Sequence, residues 1–103
     1  MANLYIRYYQ SLARDATGTT MPAVDESTSC GDEVIAIGAT SAEGGTVPGK
    51  AQYALIHAEA ACHYVFGASP VAVGTSMRMP ADLSLIVGCK KGPNDKKFAV
   101  IQD

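Results

Sequence analysis

The chain has 103 residues, 48% of them apolar and 17% charged, with a formal net charge of −2. That length suits one domain, residues 1–103, with a thin core, and the sparse charge, against a usual share of about 25%, leaves neutral surface fit for packing against protein. The slight acidity argues against nucleic-acid binding, no run approaches the ~18 apolar residues of a membrane span, and Met1-Ala-Asn-Leu-Tyr-Ile-Arg lacks the basic start and long apolar stretch of a secretion signal.

Leu4 to Leu12 is rich in aromatic and β-branched residues and reads as a strand. Leu4, Ile6, Tyr8 and Gln10 share one face, and Tyr5, Arg7 and Tyr9 the other. Arg14 to Thr20 is a turn punctuated by Asp15 and Gly18. Met21-Pro22-Ala23-Val24 fits a short edge piece, since Pro cannot donate to a central ladder. Asp25 to Asp32 is polar and reads as a loop. Glu33 to Ala39 alternates as a strand should, and Gly44, Gly45, Pro48 and Gly49 make Thr40 to Lys50 a loop.

Ala51 to Gly67 is Ala-rich enough for a helix, yet Cys62, Tyr64 and Phe66 fall on one face at period two. The preferred reading is two strands, about 52–58 and 61–66, joined by a tight corner at Glu59-Ala60. Gly67 to Pro80 is a connection, with room for a short strand at Val71–Val73. Asp82 to Cys89 and Lys97 to Ile101 are strands flanking a charged turn, and a long-looped hairpin is expected of them. Six to eight short strands with regular turn signals predict an all-β fold, a small β-sandwich or jelly-roll-like antiparallel domain.

Chemistry finds little support. Cys30, Cys62 and Cys89 are odd in number and widely spaced, and read as reduced thiols filling small apolar positions. A two-residue hairpin corner at Glu59-Ala60 would set His57 opposite Cys62, but two donors fall short of a structural zinc site. Cys62 and His63 are adjacent in a strand and point to opposite faces, so they form no nucleophile–base pair. Asp25, Glu26, Asp32, Glu33 and Asp82 show no spacing that singles out an acid and a base, and there is no calcium-loop or phosphate-loop order. No catalytic residue, metal ligand or cofactor is therefore expected. Lys90, Lys91, Lys96 and Lys97 cluster at one turn, which is either a solvated hairpin tip or a patch for an acidic protein surface.

The opening Met1-Ala-Asn-Leu-Tyr-Ile-Arg-Tyr-Tyr-Gln-Ser-Leu-Ala-Arg-Asp, the middle Ala60-Ala-Cys-His-Tyr-Val-Phe-Gly-Ala-Ser-Pro-Val-Ala, then Ser76-Met-Arg-Met-Pro-Ala-Asp, and the closing Gly92 and Phe98-Ala-Val-Ile-Gln together form a pattern over most of the chain. It resembles a group of short virion proteins of tailed bacteriophages. Those share a similar first strand, a Phe-Gly-x-x-Pro turn, a Ser-x-Arg-x-Pro-Ala segment and a Lys-Ile-Ala-Val-Ile-like last strand. The charged stretch from Lys90 to Lys97 departs from their tighter turn. The resemblance implies a capsid cement or decoration protein on the outside of the head, made in the host cytoplasm, partnered by the major capsid protein and self-associating as a homotrimer.

Within that expectation Leu4, Tyr5, Ile6, Tyr8 and Tyr9 are candidate anchors of an N-terminal strand or arm, about residues 1–12, because tyrosines are enriched in interface hot spots. Such a strand could also add to a partner's sheet edge. The plainer alternative makes the same residues the core face of an edge strand. Lys90 and Lys91 are the second candidate contact. The competing functions are a neck or tail component, such as a connector or tail-completion subunit, and a host-facing adhesion module using Gly44–Gly49 or the lysine turn.

Overall fold

Alternating apolar residues need a second layer to bury against, and here two four-stranded antiparallel sheets supply it for each other. The computed structural model describes residues 2–14, 16–17, 20–24, 26–89 and 96–103. One sheet contains β1 (Asn3–Tyr9), β4 (Ser29–Ala36), β6 (Tyr53–Ala58) and β9 (Ser84–Gly88), in the order β4-β1-β6-β9. The other contains β5 (Ala42–Glu43), β7 (Cys62–Gly67), β8 (Met77–Met79) and β10 (Lys97–Gln102), in the order β5-β10-β7-β8. A separate hairpin pairs β2 (Leu12–Arg14) with β3 (Thr20–Val24), and a short 3-10 turn, Glu26–Thr28, leads into β4. The all-β sandwich expected from the strand pattern is the fold observed.

The connectivity has a recognisable cyclic order. From β4 onward the chain alternates between the sheets through β5, β6 and β7, stays in the second sheet for β8, then alternates through β9 and β10. Adding β1 after β10 completes the strand order of an eight-stranded jelly roll, with its last strand placed at the front of the chain. The two ends meet accordingly. Ile37 N–H donates to Ala2 O at 3.0 Å, and Gln102 N–H donates to the next residue's carbonyl, Gly38 O, at 2.9 Å.

Two expectations are corrected by this order. The corner at Glu59-Ala60 does join two strands, but β6 and β7 belong to different sheets and do not form a hairpin. His57 consequently lies opposite Tyr5 and Ser84, not Cys62. Likewise β9 pairs with β6 while β10 pairs with β7 and β5, so the last two strands do not pair with each other. In both cases period two assigns faces correctly and says nothing of partners.

Several boundaries also move. β4 begins at Ser29, inside the polar stretch expected to be a loop, because the ladder to β1 runs on to Ser29↔Tyr9. A register shift between Tyr8 and Tyr9 leaves Cys30 as the extra residue of a bulge. β9 begins at Ser84, because Asp82 takes a left-handed conformation (φ 58°) that ends any extended run there. Met77–Met79 is a strand that sequence did not reveal, and Val71–Val73 is not one.

The core lies between the sheets. Leu4, Ile6, Tyr8, Ile35, Ala54, Ile56 and Ala58 face it from one side, and Cys62, Met79, Phe98 and Val100 from the other. Phe98 stacks against Phe66 at 4.7 Å and against Tyr8 at 6.4 Å between ring centroids, which joins the layers through aromatic contact. Tyr8 brings a hydroxyl into this apolar space, where it donates to Glu33 Oε2 at 2.7 Å. Glu33 Oε1 accepts from Gly45 N–H, so one carboxylate ties β4 to β1 and to the following loop. Gly44 lies so close to that carboxylate that a Cβ there would require the Glu33 side chain to shift.

Glu33→Ala should strand the Tyr8 hydroxyl and the Gly45 N–H together and cost about 2 kcal/mol. Glu33→Gln keeps an acceptor in place and should cost less than half as much. Urea denaturation of both variants checks the difference, and equal losses would mean that the hydrogen bonds are not the source of the effect.

Candidate functional site: the outer faces of the sandwich

Residues able to do chemistry are dispersed by this topology. His57 lies on the outer face of the first sheet, with Nδ1 2.9 Å from Ser84 Oγ. His63 lies on the outer side of the second sheet. Its Nδ1 is 2.9 Å from Ser76 O, to which it can only donate, and its Nε2 is 2.9 Å from Asp103 Oδ1. Asp103 also accepts from Arg78 Nε at 3.1 Å. His63 and Arg78 together hold the Asp103 carboxyl below the usual carboxylate range. The trio ties β7, β8 and the chain's last residue together, with every facing atom occupied.

Cys62 points into the core while His63 points out, as the strand alternation requires. The thiols of Cys30, Cys62 and Cys89 are free, and burial raises the pKa of each, opposite to what a reactive thiolate needs. Among the described residues no group of three or more His, Cys, Asp or Glu is placed to hold a metal.

The proposed anchors separate sharply. β1 is not an arm or an edge strand: it is paired along both sides, with β4 and with β6. Leu4, Ile6 and Tyr8 are buried in the core, and Tyr9 is buried as well although it shares the outward register of Tyr5 and Arg7. A strand paired on both edges cannot add to a partner's sheet, and none of these four side chains is exposed. Tyr5 is different, being 42% exposed. Lys90 and Lys91 lie outside the described residues.

Around Tyr5 the pairing builds a surface. Tyr5 lies between Val34 and His57, Arg7 between Asp32 and Leu55, and Leu55 opposite Ile86. Val34 is 57% exposed and Ile86 39%. Arg7 donates to both carboxylate oxygens of Asp32, at 2.6 and 3.2 Å, a two-pronged pair. This pair holds Asp32 below its ordinary pKa and Arg7 above its own. The charge of this pair is thereby matched within the sheet, and beside it lie apolar Tyr5, Val34 and Leu55 together with the polar His57–Ser84 pair. A groove of about 430 Å³ runs between Tyr5, Arg7, Tyr9, Val34, Leu55 and His57. A second, of about 270 Å³, lies between Leu12, Tyr53, Ile86, Val87 and Gly88.

The opposite face differs. There the Ala68–Ser76 connection folds back over the sheet: Ala72 N–H reaches Ser41 Oγ at 2.9 Å, and Pro70, Ala72 and the outward-facing Ala99 are all buried. The connection in turn exposes Val71 and Val73, and β8 exposes Met77, with Val71 and Met77 at 67% and 66%. Sequence reading missed Val34, Ile86, Val71, Val73 and Met77 as surface residues. For Val34 a signal existed, since it alternates with buried Ile35. For Ile86 there was none, because Leu-Ile-Val reads as buried on both faces.

Comparison with protein-family models, with curated proteins and with solved structures finds no match to this chain.

Cys89 is fully buried, and its thiol is pushed up to about 11, first by burial and then by Cys30. A thiol raised in the fold contributes its full stability below its unfolded value, about 8.5, and loses it as pH rises to the folded one. Tyr8, raised by burial and by Glu33, acts in the same direction at higher pH. Stability should therefore fall between about pH 9 and about pH 11, by up to about 2 kcal/mol from Cys89. Urea midpoints across this window check it, with Cys89→Ala starting lower and falling less.

Proposed function

We propose that this chain is a non-catalytic docking module that decorates the head of a tailed phage, binding across neighbouring capsid subunits. The observation that carries the docking part is the outer face of the β4-β1-β6-β9 sheet. It exposes Tyr5 and Val34 side by side, beside an ion pair that satisfies itself. Neighbouring exposed apolar side chains on a small domain mark contact surfaces, and an exposed tyrosine brings large area at low entropy cost. The phage assignment is supported by the resemblance of the Tyr-Ile-Arg-Tyr-Tyr opening, the Phe66-Gly67-Ala68-Ser69-Pro70 turn and the Ser76–Ala81 segment to short virion proteins.

The mechanism is physical. A pressurised shell fails by separation of its subunits. A module that binds the assembled lattice and not the free subunits stabilises the lattice by linkage. Repetition over the shell adds avidity if copies associate.

Gold-labelled antibody on virions from the phage encoding this chain should decorate the head. Label at the neck or tail would favour a connector, and absence from virions would overturn the reading. In head-binding assays Tyr5→Ala combined with Val34→Lys should keep the native circular dichroism and weaken binding by about tenfold or more. Unchanged occupancy would remove this face from the contact.

A further inference from the structure

A sandwich has four sheet edges, and three of them here are guarded. β4 carries Asp32 and Glu33 and a bulge, and the loop after it is tied back through Gly45 N–H to Glu33. β5 is two residues long, with Glu43 bound to Lys97 at 3.2 Å. β8 is three residues long with Arg78 at its centre. Charges, bulges and brevity are the devices by which edges avoid pairing with other chains.

β9 has none of them. It is five residues, Ser-Leu-Ile-Val-Gly, without charge or proline. Among the described residues it pairs with β6 alone. Cys89 N–H donates to Gln52 O, and Leu83 O accepts from Ala58 N–H. By alternation Leu85 and Val87 also direct their backbone groups toward β6, whereas Ser84, Ile86 and Gly88 direct theirs at the open edge.

We propose that this edge is a homodimer site, in which β9 pairs antiparallel with β9 of a second copy about a twofold axis at Ile86. The strand is self-complementary in that arrangement. Ile86 faces its own counterpart and exchanges both backbone hydrogen bonds with it, and Ser84 faces Gly88, two small residues. Leu85 faces Val87 on the core side, so the three central positions set apolar residues against each other. The five paired residues carry no charge, so nothing on the strand itself repels a second copy. The same operation on β4 would bring Asp32 and Glu33 against like charges. The product is one continuous eight-stranded sheet, closed by symmetry with no further open β9 edge. This inference does not rest on the head-binding reading.

Light scattering across concentration should show twice the monomer mass at high concentration. Ile86→Lys, which sets like charges together at the axis, should raise the dimer dissociation constant about a hundredfold. Tyr5→Ala combined with Val34→Lys, on the far side of the same sheet, should not. Amide exchange provides a readout that needs no variant. Ser84, Ile86 and Gly88 should gain protection as concentration rises, while Leu85 and Val87 are protected throughout. A monomer at every concentration, a trimer, or a dimer that Ile86→Lys leaves intact would overturn the proposal. Protection of Ser84, Ile86 and Gly88 that appears only when phage heads are added would overturn it too, and assign the edge to a partner's strand.

Discussion

The pairing of β1 along both of its edges is the constraint from which the rest of the architecture follows. A strand so placed presents one row of side chains to the core and the other to the outside. In β1 the inner row is Leu4, Ile6 and Tyr8, and the outer row Tyr5, Arg7 and Tyr9. The inner row meets Phe98 and its neighbours from the second sheet, so the two layers are held together through residues near the start of the chain. The outer row positions Arg7 to grip Asp32 on β4, and that pair fixes the two strands against each other on the exposed side.

This arrangement separates core packing from exposed surface across the thickness of one strand. Tyr8 and Tyr5 are three residues apart and of the same type, yet one is committed to the interior and to Glu33, and the other is half open to solvent. A change at Tyr8 acts on the whole fold. A change at Tyr5 acts on the surface alone. Surface replacements are ordinarily worth little in folding energy, which leaves the outer face of this sheet able to vary with whatever it meets.

Much of the fold was legible in the sequence because period two survives in short stretches. Val34 to Ala36, Tyr53 to Ala58 and Cys62 to Phe66 each show it, and each lies in a strand with its inner residues packed as the alternation implies. Partners were not legible, since alternation specifies which side a residue faces and not which strand lies beside it. The corner at Glu59-Ala60 looks like a hairpin turn and is a crossing between layers. The polar start of β4 looks like a loop because its ladder to β1, and not its own composition, makes it a strand. Of the five N-terminal residues that sequence offered as anchors, a central strand leaves only Tyr5 exposed, and its exposed apolar neighbours on that face come from β4 and β9, far away in sequence.

The adjoining ends have a consequence of their own. Ala2 and Gln102 are hydrogen-bonded to consecutive residues, Ile37 and Gly38, so the eight sheet strands form a ring in space whose opening falls between β10 and β1. A ring has no privileged starting point. Sealing that gap with a short linker and cutting elsewhere, for instance in the connection between β4 and β5, yields a chain with the same neighbours for every strand. Reordered relatives of this domain would therefore share its architecture while aligning poorly from end to end, and kinship among such chains is better sought in the cyclic succession of strands than in their linear text.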